Sequence, residues 1–323
     1  MAKPIVVVTR KWTRRAQELL SERFDARLNT DDTPLDTQEI LARCQGADVL
    51  CPWGGDRLDG AFIANLPDSI RLIACVSAGT EHIDIVAAKA RNIFVSNTPD
   101  VVTEETADLT FALMLGLNRR LIHGDRLIRK RGWNGIGIDD PNAGVRVWGK
   151  TIGIVGPGGI GTAVARRARA FRMPLLYHGR QRRPHWESDL DAVYCESLDE
   201  LLAGSQIVSL HCPLTEQTRG LIDARALSLM QPEAILVNTA RGGVVDEAAL
   251  IEALKNGVIA GAGLDVFQDE PGVSEGLLAL DNVLMSPHIG TATIETRDEM
   301  GMRVIDNIET FLRTGRPGDA VGP

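Results

Sequence analysis

Short apolar runs alternate with stretches of helical period along nearly the whole chain. Runs at 5–8, 47–51, 70–76 and 93–96 are rich in Val, Ile, Leu and Cys, and each is too short for a helix. They read as buried strands. Helical spacing follows the first run as far as residue 24, then recurs at 37–44 behind Asp36 as N-cap and at 83–91. Asn97-Thr98-Pro99 interrupts the pattern, and a Leu- and Ala-rich segment at 103–131 predicts one long helix. Residues 132–149 are glycine-rich and irregular, a loop long enough to suggest a function. Strand-type runs resume at 151–155, 175–177, 207–211, 234–239, 259–267 and 283–285, with helix patterns between, and a last helix is expected at 291–313. This alternation with short connections predicts an α/β chain of doubly wound parallel sheets.

One stretch carries more than periodicity. The strand at 151–155 enters Gly156-Pro157-Gly158-Gly159-Ile160-Gly161, an Ala/Arg helix follows, and the next strand ends at Tyr177. Strand, glycine turn, helix and strand at this spacing form a dinucleotide-binding unit. Gly156 permits the tight turn, Gly158 lets backbone approach a pyrophosphate, and Gly161 lets helix and strand pack closely, with Gly159 and Ile160 opening the helix. An NAD site places Asp or Glu at the end of the second strand for the ribose 2′-hydroxyl. Here the chain reads Gly179-Arg180-Gln181-Arg182-Arg183, with no carboxylate before Glu187. Guanidinium groups in that position suit the 2′-phosphate of NADP, so the expected cofactor is NADP(H).

Composition changes the picture only by exclusion. A chain of 323 residues suits two domains, and a net charge of −8 argues against nucleic-acid or anionic-membrane partners. The five cysteines are scattered without CxxC spacing, no apolar stretch reaches the length of a membrane helix, and the first residues lack a signal-peptide apolar region. A cytoplasmic protein is expected. Two motif matches are refused. Residues 144–151 (GVRVWGKT) fit a P-loop but lead into a strand, and 272–276 (GVSEG) fit a nucleophile elbow but follow a loop. No metal site is expected, because HExxH and paired Cys/His spacings are missing.

Hydride addition to a carbonyl requires a proton for the oxygen, and histidine is the natural donor near neutral pH. Of six histidines, His288 ends the last strand, at the carboxyl edge where such sheets hold ligands; His82, His123, His178, His185 and His211 lack that setting. Arg241 and Glu270 follow two other strands. An arginine there can clamp a carboxylate, and a glutamate beside a histidine fixes its tautomer.

Taken in order, residues 76–84 (VSAGTEHID), the glycine turn, 238–242 (NTARG), 263–271 (GLDVFQDEP) and 287–290 (PHIG) resemble the D-isomer-specific 2-hydroxyacid dehydrogenases over nearly the entire chain. Residues 179–184 (GRQRRP) and 287–293 (PHIGTAT) look most like the NADPH-linked glyoxylate/hydroxypyruvate reductases. The resemblance implies that Arg241, Glu270 and His288 are the catalytic set, and that Ser77, Ala78 and Gly79 hold the substrate carboxylate. It extends the cofactor site to Thr106, Pro213, Thr239, Asp265 and Gly290. Trp53 would border the substrate, as a specificity element or as mere packing. A Rossmann-like dinucleotide domain (100–289) would be inserted into a flavodoxin-like substrate domain (1–99 with 290–323). A homodimer is implied, with the long helix and the 132–149 loop at its interface. The expected reaction is NADPH-dependent reduction of glyoxylate or hydroxypyruvate. Bulkier 2-oxo acids, such as 2-ketogluconate or phenylpyruvate, and a dinucleotide-sensing corepressor-like binding protein are the alternatives.

Overall fold

The computed structural model describes residues 2–140 and 143–322, so Pro141 and Asn142 of the expected loop lie outside the described residues. The chain divides into two compact units, one drawn from residues up to Val102 together with Thr291 onward, the other from Thr103–Gly290.

The first unit opens with β1 (Ile5–Val8), α1 (Arg14–Arg23), β2 (Asp25–Arg27), α2 (Thr37–Arg43) and β3 (Val49–Cys51). It continues with α3 (Gly60–Asn65), β4 (Leu72–Ala74), α4 (Ile85–Ala90) and β5 (Phe94–Ser96). All pairings are parallel, in the order β2-β1-β3-β4-β5. Period-two side-chain alternation sends Val6 and Val8 into one apolar cluster and Val7 into another on the opposite face. Both faces are therefore covered, which explains why these strands read as unbroken apolar runs. Asp36 caps α2 in a reciprocal capping box with Glu39, as its position ahead of the helix predicted. Strand order reverses between β1 and β3, and sheets of this kind open a ligand crevice beyond the carboxyl ends at such a point.

The second unit begins with α5 (Thr103–Asn118) and α6 (Leu121–Arg129), then β6 (Ile152–Val155), α7 (Gly159–Ala170), β7 (Leu175–His178), α8 (Pro184–Leu190) and β8 (Ala192–Tyr194). It continues with α9 (Leu198–Gly204), β9 (Ile207–Leu210), α10 (Ala224–Leu229), β10 (Ile235–Asn238), α11 (Glu247–Lys255), β11 (Gly261–Leu264), α12 (Glu275–Leu278) and β12 (Val283–Met285). The sheet runs β12-β11-β10-β9-β6-β7-β8, entirely parallel, which is the dinucleotide-binding order with one further strand. The chain then returns to the first unit through α13 (Ile294–Thr314), whose Met300, Val304, Ile305, Ile308 and Phe311 complete the core containing Val6, Val49 and Leu72.

Several expectations are corrected. The single helix at 103–131 is two helices, broken at Arg120 with φ +49. The carbonyl of Asn118 accepts the amide of Val145 at 2.7 Å, which takes that carbonyl out of helical use. The expected strand 259–267 ends at Leu264, and Asp265–Phe267 leave the sheet. Strands β2 and β8 and helix α3 carried no readable signal. Both strands are short outer strands of their sheets and only partly buried.

Candidate active site

The glycine turn occupies the carboxyl end of β6. Gly156 has φ +99, and a Cβ there would stand 2.7 Å from the backbone of His211 and Cys212, so only glycine fits. Gly158 is the N-cap of α7; it offers no side-chain cap, and a Cβ at this position would meet nothing within 4 Å. The first turn of α7 is thus left without a side-chain cap, as a pyrophosphate site requires. These residues fit a dinucleotide.

The basic segment past β7 is more ordered than its composition suggests. Arg182 is held bidentately by Glu187, at 2.7 and 2.6 Å, and Glu187 also accepts the Tyr177 hydroxyl at 2.7 Å. Those two donors hold the Glu187 carboxyl down at about 2. The Tyr177 oxygen in turn accepts the backbone amide of Arg183 at 2.9 Å. Glu187, present in the sequence as merely the first acid past the cluster, is therefore the counter-ion of one of its arginines. Arg180, Gln181 and Arg183 are exposed, and among the described residues neither Arg180 nor Arg183 has a carboxylate partner.

Arg241, Glu270 and His288 meet in one open cleft of about 500 Å³, lined also by Leu214, Arg219, Gly242 and Phe267. Close approach brings them together. A Cβ on Gly242 would overlap the carbonyl of Phe267, so the turn after β10 lies directly against the segment after β11. Asn238 braces that turn, accepting from Ala240 and donating to the Arg241 carbonyl, both at 3.0 Å. The His288 Nδ1 lies 2.7 Å from Glu270 Oε2, while Glu270 Oε1 accepts the Phe267 amide at 2.9 Å. Partial burial disfavours the Glu270 charge, but the bonds from His288 and Phe267, with the nearby charge of Arg241, outweigh it and lower the pKa. With Nδ1 occupied, Nε2 of a half-exposed ring is the atom that can exchange a proton.

Asp265 has a task that strand reading could not reveal. It is 1% exposed, and its carboxylate accepts the Ser286 hydroxyl at 2.6 Å and the amides of Ile289 and Gly290 at 2.9 Å each. It anchors the turn carrying His288. The neighbouring cofactor candidates are stitched to α5: Thr106 donates to the Gly290 carbonyl at 3.3 Å, and Thr110 bonds Thr239 at 2.9 Å. Pro213 follows β9 on the same carboxyl edge of the sheet. Arg219, a second cation of the cleft, was missed because it lies in a polar turn without periodic context.

In the first unit, Ser77, Ala78 and Gly79 follow β4. Their carbonyls are tied inward, accepting Thr98 N at 3.0 Å, Asn97 Nδ2 at 2.6 Å and the Ser77 hydroxyl at 2.6 Å. All three carbonyls of the loop are thereby occupied. Trp53 bridges Val76 through its backbone, and its amide is held by Asp56 at 2.7 Å. Among the described residues no group of three or more His, Cys, Asp or Glu side chains could hold a metal ion. Among the described residues no helix is long and apolar enough to cross a membrane.

A dinucleotide-binding sheet whose carboxyl edge carries a His–Glu pair beside an arginine defines a nicotinamide-dependent oxidoreductase. Comparison with known proteins is consistent with that class. The family described as D-isomer specific 2-hydroxyacid dehydrogenase, NAD binding domain, matches residues 111–290. Glyoxylate reductase of Pyrococcus furiosus is 43% identical over 314 residues, covering 96% of this chain and 93% of the relative. The glyoxylate reductase of Korarchaeum cryptofilum is 42% identical, covering 99% of this chain and 96% of its own. Among solved structures, an NADPH-dependent glyoxylate/hydroxypyruvate reductase of Sinorhizobium meliloti, in complex with NADP and malonate, matches at TM-score 0.87 and 34% identity, covering 99% and 97% of the two chains. The chain belongs to the D-isomer-specific 2-hydroxyacid dehydrogenase family.

Proposed function

We propose that this protein uses NADPH to reduce small 2-oxo acids, glyoxylate and hydroxypyruvate, to D-2-hydroxy acids. The observation that carries the reading is the His288–Glu270 pair at 2.7 Å in the same cleft as Arg241. Relatives named glyoxylate reductase at 40–43% identity support the substrate class. When bound, the reduced nicotinamide supplies hydride to the carbonyl carbon. His288 delivers a proton from Nε2 to the carbonyl oxygen, and Glu270 holds the imidazole in the orientation and tautomer that keep the proton there. Arg241 clamps the substrate carboxylate and polarises the carbonyl, with the amides of Ser77, Ala78 and Gly79 as further donors. Gly156, Gly158, Gly159, Ile160 and Gly161 receive the pyrophosphate, and Thr106, Pro213, Thr239, Asp265 and Gly290 border the cofactor. Arg180, which has no carboxylate partner among the described residues, is the principal reader of the 2′-phosphate, with Gln181, Arg182 and Arg183 around it.

We also read the protein as a cytoplasmic homodimer. Its five buried thiols suit a reducing compartment. Large apolar side chains lie exposed at Leu121, Ile128, Trp133, Ile136 and Ile138, a concentration of the kind that marks an interaction surface.

Steady-state turnover of glyoxylate and hydroxypyruvate with NADPH and with NADH, by wild type and His288→Gln, tests the central claim. We expect NADPH to be preferred and the variant to lose on the order of 10²–10⁴ in kcat. Near-normal turnover in the variant contradicts the role of His288, and a preference for NADH contradicts the role of Arg180.

A further inference from the structure

Among the described residues Arg297 has no counter-ion. It lies in the first turn of α13, on the stripe that continues through Met300, Gly301 and Val304 into the core, so helical spacing turns it inward. Its guanidinium carbon stands 4.2 Å from the centre of the Trp53 indole, and its Nη1 is buried with no hydrogen-bond partner. Other arginines of the same unit are neutralised, Arg10 by Asp32 and Arg303 by Asp319, whereas among the described residues Arg297 forms no ion pair. The acids next to the pair are committed elsewhere. Asp298 accepts the Thr13 hydroxyl, and Asp56 accepts the Thr9 hydroxyl and the Trp53 amide. Burial weakens the guanidinium's hold on its proton, and no carboxylate opposes that effect.

Stacking on an indole uses only the face of a guanidinium and leaves its in-plane donors unmet. A buried donor without a partner requires an explanation, and a ligand group is one. The surroundings favour a ligand. Trp53 lies just past β3, where strand order reverses and sheets of this kind open their crevice. It bridges Val76, and a Cβ on Gly54 would stand 3.6 Å from that of Ser77. The guanidinium platform is thus continuous with the loop assigned above to the substrate carboxylate.

We propose that Arg297, carried on Trp53, recognises a second carboxylate at the far end of the substrate, so that dicarboxylic 2-oxo acids belong to the substrate class. This rests on the reading of the protein as a 2-oxo acid reductase. Glyoxylate has nothing beyond its carbonyl and leaves the guanidinium unused. A longer dianion meets a planar fork of donors that matches a carboxylate bidentately, while the indole fixes the direction of the fork.

The test compares kcat/KM within two shape-matched pairs, oxaloacetate against 2-oxobutyrate and 2-oxoglutarate against 2-oxopentanoate. The full-length wild type, Arg297→Met and Arg297→Lys are assayed, with glyoxylate as the reference substrate. Wild type should favour the dicarboxylate of at least one pair tenfold or more. Arg297→Met should erase at least tenfold of that preference, and Arg297→Lys less, because it keeps charge without the fork. If Arg297→Met does not fold, Trp53→Leu removes the platform and should reduce the same ratio. No wild-type turnover of glyoxylate overturns the reductase reading and this proposal with it. Glyoxylate turnover without a dicarboxylate preference, or with equal losses on both members of a pair, overturns this proposal alone.

Discussion

His288 sits at φ +52, a region that non-glycine residues rarely occupy. Such a conformation persists only where its surroundings insist on it, and Asp265 supplies that insistence by gathering one hydroxyl and two amides from residues 286–290. The histidine and its glutamate were legible in the sequence because both follow apolar runs at a sheet's carboxyl edge. Asp265 entered only through the resemblance, as a cofactor neighbour; its anchoring role was not legible, since it stands inside an apolar run and reads there as strand. Arg297 was invisible for a similar reason: an arginine in an amphipathic helix reads as a solvated face until its neighbours are known. Glu270 carries a prediction with a sign. Its carboxyl is held below the ordinary 4.5, so it adds stability that is complete above that value and is lost as pH falls through the lower folded value. The stability difference between wild type and Glu270→Gln should therefore shrink as pH falls below about 4.5, as read from thermal melts across pH. A difference that persists undiminished through that acid range contradicts the pairing.

Among the elements, the buried strands were the most legible, because sheets covered on both faces demand unbroken apolar runs. The outer strands β2 and β8 escaped, being short and only partly buried, and the break between α5 and α6 escaped because Asn118 and Arg120 are compatible with a helix until Val145 claims the Asn118 carbonyl. The turn after β10 is the element on which the cleft depends. Gly242 allows that turn to lie against Phe267, and any side chain there must push the two segments apart. Gly242→Ala should therefore lower stability by roughly 1–3 kcal/mol and reduce kcat/KM together with it. An unchanged melting temperature in that variant shows that the close approach is dispensable. The segment past β7 teaches the same lesson in reverse. Its arginines were legible as candidates for a phosphate site, but which of them is already paired was not, because that depends on Glu187 folding back from α8.

For the whole molecule, alternating runs announced two α/β sheets. They could not say which helix joins which sheet, since an amphipathic stripe does not name its partner. The chain divides at Val102 and Gly290, so the first unit is assembled from both ends of the sequence. Helix α13 packs so tightly on α1 that a Cβ on Gly301 would stand 2.6 Å from that of Ala16, and it completes the core built on β1, β3 and β4. That junction has a consequence for the order of events during synthesis. Residues 1–102 leave the ribosome first yet lack part of their apolar core until residues 294–314 emerge, whereas 103–290 are continuous and can finish folding beforehand. We expect the usual N-terminal-first order to be inverted in this chain. Pulsed hydrogen exchange on stalled nascent chains should find the amides of β6 and β9 protected before those of β1 and β3, and the opposite order would mean that the first sheet is stable without its last helix.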